Sequence, residues 1–348
     1  MPGFAIVGCG MIAHFHAKAL AEVPDARLLA LVDLVPENME KVMKTMNTKY
    51  DTYTDINKML ERKDIDVVIV AAPSGAHMNL AVAAAEAGKH VVVEKPLEIT
   101  VERCNRIIEA CQKNNVKLCT IFPSRYHAAN QALKSAIDKG RFGRLTLGET
   151  TCKWWRSQAY YDEGGWKGTR ALDGGGALMN QAIHNVDLLC WMMGPVKRVF
   201  GFTAMLAHER IEVEDTAVAC LEFANGALGV IQATTSVYPG MPKTISIHGD
   251  KGTVVVEQED ILRWEFASES DEDKEIREKF AQKVGASGGA SDPAAISHHG
   301  HALQLTDFVQ SLKEGRDSLV GGAQGRIAVE VIEAIYKSSD EERCVHLQ

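Results

Sequence analysis

None of the eight cysteines (Cys9, Cys104, Cys111, Cys119, Cys152, Cys190, Cys220 and Cys344) forms a C-x-x-C pair. That scatter suggests neither a zinc site nor a disulfide framework, so the thiols are expected to be reduced and mostly buried. No run of 18 apolar residues occurs, so no membrane-spanning helix is expected. The opening MPGFAIVGCGM lacks the Lys/Arg lead and long apolar core of a signal peptide, which makes the cytoplasm the expected location. Basic residues are the minority, 38 against 46 acidic, for a net charge of −8. That balance argues against nucleic acid or a polybasic membrane surface as partner and leaves small molecules and further copies of the chain. At 46% hydrophobic and 24% charged, the composition is that of an ordinary globular protein rather than a disordered one. A length of 348 residues, at roughly 150 per domain, gives two domains.

From residue 1 to 122, short apolar runs alternate with amphipathic stretches, the rhythm of βαβ units whose parallel sheet is covered on both faces. FAIVG, ARLLALVD, DVVIVAAP, HVVVEKP and KLCTIF are strand candidates, and helices are expected near 12–22, 36–46, 56–62, 76–87 and 101–114, from apolar positions three and four apart. These short strands and five helices make an α/β, doubly wound Rossmann domain. After a helix near 128–139, the texture of residues 123–348 changes to longer strands such as LTLGETTCKWW, VKRVFGFTAML and DTAVACLEF. Asn225-Gly226 and the turn at 249–252 are hairpin signals. This predicts a second α/β domain with a large, mostly antiparallel open sheet, one face under a helix and the other available for a homodimer or homotetramer. A further helix is expected over 177–193, after Gly174-Gly175-Gly176 and before Gly194-Pro195. The charge-rich 268–282 reads as a solvated excursion, and GASGGAS at 285–291 as a flexible loop or a flap over a site.

Gly8-Cys9-Gly10-Met11-Ile12-Ala13 follows a strand and opens a helix, matching G-x-G-x-x-G/A in the context that gives the pattern mechanism. Gly8 permits the turn, Gly10 lets backbone approach a pyrophosphate, and Ala13 keeps helix and strand close. The free amides of Met11 and Ile12 then offer an anion site. A second strand ends at Asp33, twenty residues beyond Ala13, where a carboxylate accepts ribose hydroxyls and repels a 2′-phosphate. NAD is favoured over NADP. Ala72-Pro73 and Glu94-Lys95-Pro96 lie at the carboxyl edge of the sheet, where such folds bind ligands. His77, near a helix start, is either a cap or a cofactor contact. Lys95 can hydrogen-bond a substrate hydroxyl and relay a proton; its alternative is a surface Lys–Glu pair.

In the second domain Asn180, His184 and Asp187 stand at i, i+4 and i+7, one face of a helix. Asp187 is expected to hold the imidazole tautomer, and His184 to take a hydroxyl proton. Trp155, Arg156, Tyr160, Tyr161, Trp166, Lys167 and Arg170 form an aromatic, cationic stretch. Aromatic faces suit pyranose C–H surfaces and the cations suit a carboxylate or phosphate, the alternative being a packed loop. His298, His299 and His301 form no metal site by spacing.

With GCGMIA, VIVAAPSGAHMNLAVAAAEAGKHVVVEKP, GGGALMNQAIHNVDLLCWMMG and the closing GRIAVEVIEAIYKS, the sequence resembles the Gfo/Idh/MocA family of NAD(P)-dependent sugar and polyol oxidoreductases over nearly its whole length. The resemblance implies an N-terminal dinucleotide-binding domain, a second domain whose open sheet makes dimer or tetramer contacts, and catalytic Lys95 and His184. It also implies substrate contacts from Arg125 in FPSRYH. Many members, including those resembling inositol dehydrogenases, carry Asp four residues before the histidine. Here Asn180 stands there, so the base role falls to His184 and Asn180 orients a hydroxyl. GGGALMNQAIHNVDLL with YYDEGGWKGTRALD looks most like the subgroup of UDP-N-acetylglucosaminuronate 3-dehydrogenases and related sugar 3-dehydrogenases, with His301 a further subgroup-like feature. The expected reaction moves hydride between a secondary hydroxyl of a pyranose, at carbon 3, and the nicotinamide. Alternatives left open are an inositol or polyol dehydrogenase, a redox-neutral NAD-dependent glycosidase or lyase, and a sugar-sensing regulator without turnover.

Overall fold

The computed structural model describes residues 1–163, 165–280, 290 and 297–347. Its strands are β1 Gly3–Val7, β2 Arg27–Val32, β3 Asp51–Tyr53, β4 Val67–Val70, β5 His90–Val93, β6 Leu118–Thr120, β7 Leu145–Lys153, β8 Val196–Ala204, β9 Thr216–Phe223, β10 Leu228–Thr234, β11 Thr244–Gly249, β12 Gly252–Glu257, β13 Asp260–Phe266 and β14 Val345–His346. Its α-helices are α1 Met11–Glu22, α2 Pro36–Met46, α3 Ile56–Leu60, α4 His77–Glu86, α5 Val101–Lys113, α6 Ala128–Asp138, α7 Gln158–Asp162, α8 Ile183–Met193, α9 Asp271–Lys279, α10 His299–Glu314 and α11 Gly322–Glu341. No described helix is long and apolar enough to cross a membrane, and all eight cysteines are free thiols.

The chain divides into two compact units, the first made of Met1–Pro123, Ala171–Gly174 and Ser297–Val329. Its six strands run parallel in the order β3-β2-β1-β4-β5-β6, the doubly wound order that leaves a crevice at the carboxyl ends of β1 and β4. β1, β4 and most of β5 are buried on both faces, which is why they read as unbroken apolar runs. β3 is three partly exposed residues, DTY, and carries no such run. Phe4, Ile6, Ala13, Ala17 and Leu20 share one core with Leu305, Phe308 and Val309 of α10. Residues 297–329, assigned above to the second domain, therefore lie in the first unit, because the apolar face of α10 packs against α1.

The second unit comprises Ser124–Arg170, Gly175–Ile296 and Glu330–Gln348. Eight strands form its sheet in the order β13-β12-β11-β7-β10-β9-β8-β14, antiparallel except where β10 lies parallel to β7. α8 packs on β7 and β11. The approach is close at Gly148 of β7, where a Cβ would stand 2.7 Å from the Met193 side chain. The opposite face shows Phe202 of β8 directly across from Val218 of β9, and Leu228 of β10 across from Glu222, four residues further along β9; the three apolar side chains are 66%, 44% and 58% exposed.

Two segments differ from the sequence reading. The charge-rich stretch is not a loose excursion: residues 271–279 form α9, opened by a capping box between Ser270 and Asp273, and the Trp264 indole donates to Asp273 at 2.6 Å. That docking turns a polar helix into part of the fold. The helix expected over 177–193 is a π-helical turn, Ala177–Ala182, followed by α8. GASGGAS, apart from Ala290, lies outside the described residues.

Candidate active site

In the first unit the glycine loop leaves β1 with Gly8 at φ +91, where a Cβ would meet the Ala72 amide at 2.6 Å and the Ala71 carbonyl at 2.7 Å. Only glycine fits that turn. Nothing lies within 4 Å of a Cβ on Gly10, the N-cap of α1, and no side chain caps the helix. The first amides of α1, at Met11 and Ile12, are thus left to an incoming anion, and Met11 is half exposed. Ala13 is fully buried against the sheet. Asp33, just past β2, accepts from the Cys9 amide at 2.7 Å through Oδ2 and from the Val35 amide at 2.8 Å through Oδ1. The Asn38 side chain adds a third, longer bond to Oδ1 at 3.4 Å; together they fix the carboxylate beside the loop, and Oδ2, with one donor, keeps a lone pair for a ribose hydroxyl. The loop, the uncapped helix and the placed acid fit a dinucleotide.

At the next two strand ends, Ala72, Pro73 and Lys95 are partly exposed, while Glu94 and His77 are not. The His77 ring is 1% exposed and lies 2.9 Å from both the Ala72 and Pro96 carbonyls, through Nε2 and Nδ1. Burial lowers its pKa against the pull of those carbonyls, Glu98 and Glu94. Of the two roles expected for it, cap or cofactor contact, the geometry shows neither: the ring ties the β4 and β5 exits together through both nitrogens. The bond after Lys95 is a cis Lys95–Pro96 peptide.

Glu94 is the centre of a buried cluster. Its Oε1 faces His16 Nε2 at 2.7 Å and His301 Nε2 at 3.4 Å, and its Oε2 accepts from the Lys95 amide at 3.0 Å. Burial acts to raise the Glu94 carboxyl, but the hydrogen bonds from the two imidazoles outweigh it and hold it well below the usual carboxylate range. Burial lowers the His16 pKa. The three side chains could each offer a ligand atom to one cation, yet both Nδ1 atoms are buried without a hydrogen-bond partner among the described residues. A metal-bound imidazole donates its other N–H to an acceptor. A hydrogen-bonded cluster with both Nε2 atoms protonated leaves only two lone pairs unmatched, and it is the better reading. Glu94, expected at the cofactor, thus holds the Lys95 backbone amide, and His301, expected at the substrate, faces Glu94. Gln304, one turn beyond His301, completes this tie by bonding the Thr120 carbonyl at 2.7 Å and the Phe122 amide at 3.0 Å.

In the second unit Asn180 lies in the π-helical turn and His184 in the first turn of α8, both partly exposed. Asn180 Oδ1 accepts from the Gln181 side chain at 2.9 Å. Asp187, expected to hold the imidazole, is paired with Arg125 instead, which donates from Nε to Oδ2 at 2.8 Å and from NH2 to Oδ1 at 2.6 Å. Both partners of this pair are buried, and Arg125 also lies over the Trp191 ring at 5.3 Å. Burial raises the Asp187 carboxyl against the pull of Arg125. Arg125, expected at the substrate, thus has its fork directed into α8.

Of the aromatic, cationic stretch, Arg156 is 3% exposed and donates to the Trp155 carbonyl at 2.8 Å and Gln181 Oε1 at 3.1 Å. Burial lowers its pKa. It braces the π-helical turn from below and is not open to a ligand in this arrangement. Tyr160, Trp166 and Lys167 are partly exposed, and the Lys167 ammonium sits 4.1 Å from the centre of the Tyr160 ring, a cation–π pair at the surface of this unit.

Glu214, one residue before Asp215 and β9, carried no sequence signal. Its Oε2 accepts from the Gly176 amide at 2.9 Å, its Oε1 from the Leu178 amide at 2.8 Å and the Tyr336 hydroxyl at 3.0 Å, and its backbone carbonyl from Ala177 N at 3.0 Å. Burial pushes the Glu214 carboxyl up to about 7, against the donors aimed at it. The glycine triplet answers to this contact: a Cβ on Gly176 would stand 1.7 Å from the Glu214 carbonyl, and one on Gly175 2.2 Å from the Tyr336 hydroxyl.

Comparison with known proteins supports these assignments at family level. Residues 3–122 match the oxidoreductase family with an NAD-binding Rossmann fold, and residues 130–255 match the GFO/IDH/MocA C-terminal domain. The chain is similar to the WlbA dehydrogenase from Bordetella pertussis, whose structure holds NADH and UDP-GlcNAcA: identity is 35%, coverage 100% of this chain and 98% of that one, and the TM-score 0.90. It is 28% identical to the myo-inositol 2-dehydrogenase of Thermotoga maritima, over 99% of this chain and 98% of the relative. The levoglucosan dehydrogenase of Pseudarthrobacter phenanthrenivorans is 25% identical over 98% and 96%. This chain belongs to the GFO/IDH/MocA family of NAD-dependent oxidoreductases.

Proposed function

We propose that the protein oxidises a secondary hydroxyl, at carbon 3, of a pyranose presented as a sugar, glycoside or nucleotide sugar. The bound nicotinamide supplies the hydride acceptor. His184 takes the hydroxyl proton, Lys95 donates a hydrogen bond to the same oxygen and biases its charge, and Asn180, an amide without basic character, orients the hydroxyl. The reading rests on one observation above all: Lys95 in the first unit and Asn180 and His184 in the second are each partly exposed, whereas Glu94 in the first unit and Arg125, Arg156 and Asp187 in the second are buried. The similarity to a dehydrogenase whose structure contains NADH and UDP-GlcNAcA supports a nucleotide sugar within that class.

In this reading the first unit is the dinucleotide domain, and the second binds substrate and self-associates through the apolar face of Phe202, Val218 and Leu228 as a homodimer or homotetramer. The protein works in the cytoplasm, consistent with its free thiols. An inositol dehydrogenase is the second reading, favoured by the full-length similarity to the Thermotoga maritima enzyme and opposed by Asn180.

A panel of free sugars, glycosides, inositols and nucleotide sugars, followed at the reduced-cofactor band, tests this. A persistent rise with a nucleotide sugar or pyranose is expected, and Lys95→Ala and His184→Ala should abolish it while NAD still binds. A rise with inositols alone moves the assignment to the second reading. Product formation without net reduced cofactor identifies a redox-neutral cycle, and NAD and sugar binding with no hydride exchange a sensor.

A further inference from the structure

The side chains proposed for proton transfer in the second unit leave the chain from a π-helical turn, Ala177–Ala182, and the α-helical turn after it. π-Helical turns are rare and marginal, and they persist where something outside the helix holds them. Here the first amides of the segment have no partner within it, and no side chain of the N-cap residue, Gly176, can serve. The donors at Gly176, Ala177 and Leu178 all end on a single residue, Glu214. Glu214 is itself fixed from behind by Tyr336 of α11.

From this geometry we infer that Glu214 is a positioning residue, whose carboxyl group, braced by Tyr336, sets the start of the π-helical turn and so the directions in which Asn180 and His184 project. It touches no reacting atom. The requirement for glycine at positions 175 and 176 is a consequence of the same clamp, because any side chain there would displace Tyr336 or the Glu214 backbone. Leu178 and Met179 on the buried side of the turn are fully enclosed, so the segment cannot drift inward to compensate. Loosening the clamp lets it unwind toward ordinary α-helix and rotates Asn180 relative to His184. The inference deepens the proposed function, since the site it supports is the one assigned there.

Glu214→Gln is the test. The amide replaces one acceptor by a donor that faces either the Gly176 or the Leu178 N–H, so one of the two bonds is lost and a repulsive pair takes its place. Hydrogen exchange over residues 176–186 should rise in Glu214→Gln and less in Tyr336→Phe, with β9 and β10 unchanged. In turnover, kcat should fall on the order of 10- to 100-fold, as for a displaced catalytic group, while KM for NAD stays within about twofold because the glycine loop and Asp33 are untouched. Unaltered exchange over 176–186, or a kcat within about twofold of wild type, overturns the inference. So does a kcat loss accompanied by raised exchange across the whole second unit, β9 and β10 included, which marks general unfolding. The exchange measurement needs no substrate. If wild type turns over nothing in the sugar panel yet Glu214→Gln still loosens 176–186 selectively, the clamp stands and the assigned reaction falls.

Discussion

Asp187→Asn separates two roles for one carboxylate. Asp187 and Arg125 form a two-point ion pair, at 2.6 and 2.8 Å, with side chains 1% and 4% exposed. Removing one partner of such a pair leaves a buried charge without compensation, at about 3–5 kcal/mol. Asparagine keeps the shape and one acceptor oxygen, so the lower end, about 3 kcal/mol, applies. At about 2–4 °C per kcal/mol for a domain of this size, the midpoint of thermal unfolding should drop by roughly 10 °C. Calorimetry of wild type, Asp187→Asn and the double variant Arg125→Met/Asp187→Leu reads it directly. The double variant removes both charges, and most of the lost stability should return. At a temperature where every variant is folded, kcat should stay within about tenfold of wild type, since the two-point pairing of Asp187 is with Arg125. The opposite pattern, an unchanged midpoint with kcat down by about four orders of magnitude as when a carboxylate orients a catalytic imidazole, would restore the role suggested by helical spacing and refute the one argued from the ion pair.

Two further outcomes follow. The Glu214 carboxyl is raised to about 7 in the folded protein from an ordinary 4.5, so its contribution to stability is full below that ordinary value and is lost as pH rises through about 7. The loss amounts to about 3 kcal/mol. Thermal unfolding across pH 5 to 9 should show wild type losing stability with rising pH relative to Glu214→Gln, which does not titrate there, and a constant difference would remove the assigned titration. Asp33→Ser takes away the carboxylate beside the glycine loop and its repulsion of a 2′-phosphate. Fluorescence titration with NADPH should show tightening by about tenfold; no change would mean that Asp33 does not read the ribose.

Much of this architecture is legible in the sequence, because parallel strands buried on both faces must be continuous apolar runs and helices between them must show one apolar stripe. β1, β2, α2 and the GCGMIA loop are where those patterns put them. β3 escapes because three partly exposed residues need no apolar pattern, and α9 because its hold on the sheet comes from Asp273, Trp264 and Arg141, which pair only in three dimensions. The site divides along the same line. Lys95, Asn180 and His184 are named by local motifs, whereas what surrounds them is set by tertiary pairing. His16 meets Glu94 across 78 residues, and Glu214 meets Gly176 across 38. Helical spacing placed Asn180, His184 and Asp187 on one face; the π-helical turn takes Asn180 out of α-helical phase, and Arg125 claims Asp187.

The central claim is hydride loss from a sugar carbon, with Lys95 and His184 acting on its hydroxyl. Its most direct test is mass spectrometry of the reduced cofactor formed from NAD and a nucleotide sugar deuterated only at carbon 3. Deuterium in the nicotinamide with wild type, and none with Lys95→Ala or His184→Ala that still bind NAD, is the predicted result. Reduced cofactor without deuterium, or labelled cofactor at the wild-type rate from both variants, contradicts it.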